Sequence, residues 1–108
     1  MGTSITLTAG DGHGLGAYRA EPAATPRGGV VIVQEIFGVN AHIRSVADAF
    51  AEAGYLAVAP ALFDRAAAGV ELAYDGDGMR RGRALSSEIA LDDVLKDVAA
   101  AAEVAAEG

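Results

Sequence analysis

Residues 28–40 read GGVVIVQEIFGVN. Val30, Val31, Ile32 and Val33 are consecutive, β-branched and unbroken by polar groups. A strand apolar on both faces belongs in a sheet that helices cover on both sides, so this run predicts an α/β fold. The run ends on a carboxylate, Glu35. In open α/β sheets ligands bind beyond the carboxyl ends of the strands, a place where a carboxylate can hold a nucleophile, act as a base or orient a substrate. The plainer reading is a side chain that reaches solvent or pairs with an arginine. Gln34 and the N–H groups of Ile36 and Phe37 begin the turn after the strand. Free N–H groups in such a turn can stabilise an oxyanion, although an ordinary strand-to-helix connection is commoner.

Downstream, NAHIRSVADAFAEAGY (residues 40–55) predicts a helix. Asn40 is its N-cap, Ile43, Val46, Ala47 and Phe50 recur at helical spacing, and Gly54 closes it. YLAVAPALF (55–63) is a second nearly continuous apolar strand. Strand, helix and strand with short links form a βαβ unit, so the two strands should be parallel. Upstream, SITLTAG (4–10) alternates, with Ile5 and Leu7 on one face. DGHGLG (11–16) supplies turn chemistry and AYRAEP (17–22) returns as an antiparallel partner, a hairpin at the sheet edge. AATPRGG (23–29) is a loop. Beyond Asp64 a glycine-rich, charged loop leads to a short helix near Met79–Ser87. IALDDVLKDVAAAAEVAAE (89–107) is helical, with Ile89, Val94, Leu95 and Val98 expected as its apolar stripe. The order is β-β-β-α-β-(α)-α, in a mostly parallel, three-layer α/β arrangement.

Composition narrows the function classes. The 108 residues suit one domain or part of one, and a compact body of that size buries roughly 65% of its unfolded surface. Eight basic residues against fifteen acidic give a net charge of −7, with no basic face to neutralise phosphates, which argues against nucleic acid. No apolar run approaches the eighteen or so residues of a membrane helix, and MGTSITLTAG lacks the basic n-region of a signal peptide. The absence of cysteine excludes disulfides and thiolate metal sites, and fits a cytoplasmic setting. His13 and His42 lie too far apart in sequence to suggest a metal site.

Three further motifs have weaker claims. Arg80, Arg81 and Arg83 lie near Asp75 and Asp77. One of these arginines can fork onto a substrate carboxylate, but a solvated surface with local ion pairs is the simpler reading. DGDG (75–78) lacks the ligand spacing of a calcium loop. GDGHGLG (10–16) sits inside a hairpin and does not lead from strand to helix, so it is not a nucleotide loop. His42 belongs on the outer face of its helix and His13 in a turn.

The stretch VVIVQEIFGVNAHIRSVADAFAEAGYLAVAPALFDR (30–65) resembles the dienelactone hydrolase family (carboxymethylenebutenolidases), a branch of the α/β-hydrolase fold. QEIFGVN followed by a helix carrying Ile43 and Arg44 is specific to that family. GVELAYDGDGMRRGRAL (69–85) continues the resemblance in the same order. It extends over essentially the whole chain but matches only about the first half of a typical member. The resemblance implies hydrolysis of an ester or lactone bond with no metal and no organic cofactor. It implies that Glu35 tunes a thiolate nucleophile, that the Ile36 N–H contributes to the oxyanion hole, and that Arg81 or Arg80 contacts a substrate carboxylate. The family's cysteine, on a Gly-x-Cys-x-Gly elbow, and the aspartate and histidine of its triad have no counterpart in these 108 residues.

The resemblance also implies a spatial strand order of 1-2-4-3-5. On that order residues 1–108 form a partial domain that stops before the nucleophile strand, and Val30–Gln34 becomes an exposed apolar edge. Such an edge invites pairing, either with a C-terminal half chain or with a second copy. Three readings follow: one wall of a hydrolase site that other polypeptide completes, a non-catalytic α/β interaction or regulatory module, or a truncated gene product.

Overall fold

The computed structural model describes residues 2–107. Four strands, β1 (Thr3–Thr8), β2 (Gly14–Ala20), β3 (Gly29–Val31) and β4 (Leu56–Pro60), form one sheet in the order β1-β2-β4-β3. Three helices accompany them: α1 (Ala41–Glu52), α2 (Gly76–Ser87) and α3 (Leu91–Ala105). The expected order of the first four strands is the one observed. The expected predominance of parallel pairing is not. β3 and β4 pair in parallel, with Val30 opposite Ala57, but β1–β2 and β2–β4 are antiparallel. The hairpin lies at the sheet edge as expected. Its second strand docks directly on β4, and the sheet is mixed.

β4 is the centre of the molecule, and all five of its residues are buried. Ala57 and Ala59 face α1, where they meet Ile43, Ala47, Ala51 and Ile32. Val58 faces the other way, toward Leu7, Leu15, Ala17 and the α3 alanines 100, 101 and 105. This alternation makes the expected three layers: helix, sheet, helix. Burial of side chains as complete as those of Leu56 and Val58 contributes about 1.5–3 kcal/mol each.

Several boundaries differ from the sequence expectation, each for a local reason. β2 starts at Gly14, three residues early, because a turn closed by Ala9 N–H to the His13 carbonyl (2.8 Å) leaves GLG free to pair. α1 begins and ends as expected: Asn40 Oδ1 accepts the Ile43 N–H at 3.1 Å, and Gly54 follows the last turn at a φ of +102°. α2 starts a turn before Met79, because Asp75 caps it by accepting the Gly78 N–H at 2.7 Å. β3 does not run to Gln34. After Val31 one more bond, Ile32 N–H to the Val58 carbonyl (2.9 Å), holds the chain to β4. The Gln34 side chain then accepts the Leu62 N–H at 2.8 Å, standing in for a backbone carbonyl while the main chain leaves the sheet.

α3 is turned relative to expectation. Its buried residues are Asp97, Ala100, Ala101 and Ala105, whereas Leu95 is 56% exposed and Leu91 71%. Alanines let the helix axis come close to the sheet, so the small face wins the core position, while of the expected stripe Ile89, Val94 and Val98 are half-buried and Leu95 is exposed. Asp97, its side chain 1% exposed, is held at 2.9 Å through both oxygens by the Arg65 guanidinium. Arg65 also forks onto Asp11 in the hairpin turn, at 2.9 and 3.1 Å. One arginine therefore ties the hairpin, the 3₁₀ turn Leu62–Arg65 and α3 together. No helix among the described residues is long and apolar enough to cross a membrane.

Candidate functional site

The turn that follows β3 occupies the carboxyl end of the parallel pair, and a strap made of residues 69–75 holds it from outside. Gly38 N–H donates to the Glu35 carbonyl at 3.2 Å, closing the turn. Gly38 has a φ of +87°, and a Cβ there would collide with the Val70 carbonyl oxygen, so only glycine fits. The strap reciprocates: Leu72 N–H donates to the Phe37 carbonyl at 2.9 Å. Arg44, on α1, donates to the Val39 carbonyl at 2.8 Å and pairs with Glu71 at 3.2 Å. α2 presses on the same turn from another side. Its buried face carries Gly78, Gly82 and Leu85, and a Cβ at Gly82 would collide with the Ile36 carbonyl oxygen.

Glu35 is exposed at the head of this turn. Its Oε1 accepts from the Tyr74 hydroxyl at 3.4 Å. Tyr74 in turn accepts from Asn40 Nδ2 at 2.9 Å and packs edge-on against Phe37, with centroids 4.4 Å apart at 64°. The N–H groups of Ile36 and Phe37 donate to no backbone carbonyl among the described residues. A carboxylate and two uncommitted N–H donors therefore sit side by side at a strand end.

The arginines stand apart from this pair. Arg80 is exposed and pairs with Asp77 one turn away, the local ion pair of the simpler reading. Arg81 is exposed and precedes Gly82, the residue that touches the turn, by one position. Neither forms an ion pair with Glu35 among the described residues. His42 is exposed on the outer face of α1, and His13 closes the hairpin turn.

Glu35 and Ile36 line neither of two cavities nearby. One, of about 210 Å³, lies behind the strap and is lined by Tyr18, Arg44, Asp64 and Glu71 among others. The other, of about 370 Å³, is apolar, between Leu62, Phe63, Ile89, Leu91 and Val94. Along the turn Glu35 is exposed, Ile36 and Phe37 are half-buried and Gly38 is buried.

Two clusters outside the turn have perturbed protonation. The Arg65 guanidinium holds the Asp11 carboxyl well below the usual carboxylate range, and both aspartates raise Arg65 in return. Tyr18 donates to Asp48 at 2.7 Å, and that carboxylate raises the phenol above its ordinary value, with burial adding to the effect.

The family model described as dienelactone hydrolase family matches residues 15–107. The chain belongs to the dienelactone hydrolase family. A provisionally named carboxymethylenebutenolidase of Synechocystis is 45% identical over 87 residues, covering 80% of this chain and 35% of that protein. The carboxymethylenebutenolidase of Pseudomonas putida is 44% identical over 68 residues, covering 63% of this chain and 29% of that protein. The crystal structure of a provisionally named dienelactone hydrolase from Klebsiella pneumoniae superposes with a TM-score of 0.76 at 32% identity, covering 99% of this chain and 45% of that one. The chain thus spans about a third of the length of the curated relatives it matches.

Within this dienelactone hydrolase fold, Glu35, Ile36 and Phe37, which sequence reasoning singled out, share one turn, and Tyr74 and Gly82, which it did not single out, lie against that turn. Tyr74 offers only a weak signal, a lone aromatic in a stretch of Gly and Asp. Gly82 offers none by periodicity, because its importance lies in a close approach between elements distant in sequence.

Proposed function

We propose that this chain supplies one wall of the active site of an ester- or lactone-opening hydrolase. Membership of the dienelactone hydrolase family supports the reaction class. The observation that carries the residue assignment is the turn itself, with an exposed carboxylate beside N–H groups that have no backbone acceptor. Glu35 tunes a thiolate nucleophile that lies outside these 108 cysteine-free residues. As that thiolate attacks the carbonyl carbon of a small ester or lactone, the carbonyl oxygen gains negative charge, and the Ile36 N–H donates to it. Arg81 binds an anionic group of the substrate; Arg80 is the alternative, at the cost of its pairing with Asp77. A cytoplasmic setting goes with the cysteine-free composition. The test is to mix the chain with the cysteine-bearing remainder of the Synechocystis relative. Hydrolysis of an activated ester should appear on mixing and fall about a hundredfold in Glu35→Ala. Association without turnover supports the non-catalytic interaction module instead.

The β3 edge favours a pairing surface in either case. β3 is the last strand of the sheet among the described residues, and Val33 beside it is 57% exposed. We propose that Val30–Gln34 pairs with a C-terminal half chain or, in its absence, with a second copy. Val33→Lys should then convert a concentration-dependent dimer to monomer in sedimentation; a parent chain monomeric at high concentration would contradict the second-copy mode.

A further inference from the structure

Asn40 uses its side-chain oxygen to cap α1, accepting the Ile43 N–H at 3.1 Å, so the orientation of its amide is fixed. The Nδ2 group must then face Tyr74, and it donates to the phenol oxygen at 2.9 Å. With that oxygen already accepting, the hydroxyl hydrogen is free to donate elsewhere. The acceptor in reach is Glu35 Oε1 at 3.4 Å, about 0.6 Å longer than a closed O–H···O bond. The Tyr74 ring is 61% exposed, and what locates it is the Asn40 hydrogen bond and its edge-on contact with Phe37, which rides on the same turn as Glu35.

We propose that Tyr74 is a positioning residue for Glu35, transmitting the fixed geometry of the α1 N-terminus through Asn40 to one carboxylate oxygen and leaving the other free. This rests on the role proposed for Glu35 above, and it adds a residue on the 69–75 strap to the site. Without the hydroxyl, an exposed glutamate samples its rotamers freely. With it, the carboxylate is held toward the strap, over the turn whose N–H groups face the reacting oxygen.

The test uses the 108-residue chain with ¹³C-labelled glutamate and reads the Glu35 side-chain couplings by NMR. In the parent chain they should report one dominant rotamer. In Tyr74→Phe, which keeps the ring against Phe37, they should average, while amide shifts outside residues 34–40 and 70–76 stay in place. A reciprocal arm guards against misfolding of that variant. Glu35→Ala should shift the Tyr74 Cζ resonance, and Glu35→Gln, which retains an acceptor oxygen, should restore most of it. Couplings already averaged in the parent, or unchanged in Tyr74→Phe, overturn the proposal, as does a Tyr74 resonance indifferent to Glu35→Ala. None of these readouts needs turnover. A negative result here leaves the hydrolase reading standing, and a complemented enzyme indifferent to Glu35→Ala sinks that reading while leaving this contact in place.

Discussion

Gly82 and Asp11 show how single residues set the site and the stability. Gly82 lets the α2 backbone lie against the Ile36 carbonyl, and the peptide behind that carbonyl carries the Phe37 N–H. Gly82→Ala would gain helix propensity in isolation, by about 0.5–1 kcal/mol. Here the collision with a backbone oxygen outweighs that gain, because neither partner is a flexible side-chain end. The expected outcome is a net loss of about 1–3 kcal/mol in urea unfolding, with the Ile36 and Phe37 amide resonances displaced. Asp11 is held well below its ordinary value of 3.8 by Arg65, so folding favours its ionised form. Its contribution is therefore fully present above that ordinary value and is lost as pH falls through the depressed native value. Urea midpoints taken between neutral pH and about pH 2 should fall on the acid side. Asp11→Asn should be less stable at neutral pH and show a flatter acid limb.

At the scale of elements, α3 is the most instructive. Ile89, Val94, Leu95 and Val98 suggested the core face, and its alanines form it. Leu95→Ser should change stability by less than about 0.5 kcal/mol, whereas Ala101→Leu should cost about 1–3 kcal/mol by overpacking against the sheet. Thermal or urea unfolding of the two variants reads the difference, and the reverse ranking would place α3 the other way round. The strands, α1 and the three-layer class were legible in the sequence because they depend on local periodicity and caps: Asn40, Gly54 and the unbroken apolar runs say so directly. What was not legible depends on distant partners. The phase of α3 is set by how closely the helix approaches the sheet and by Arg65 drawing Asp97 inward. The direction of pairing between β2 and β4 is set by where a hairpin docks. Of the site, the Glu35 turn was readable because an apolar run ends on a charge. Tyr74 and Gly82 were not, because each matters only through a contact more than thirty positions away in chain number.

For the whole molecule, the sheet presents Glu35 to solvent at its carboxyl end, on a turn clamped by the strap and α2. On the proposed reading, this wall becomes a reaction site when a nucleophile is brought to it. The most direct measurement joins residues 1–107 covalently to the cysteine-bearing remainder of the Synechocystis relative and follows hydrolysis of an activated ester with and without Glu35→Ala. A chimera that turns over and loses about a hundredfold on that substitution is the predicted result. A chimera that turns over equally well with alanine at position 35 would contradict it.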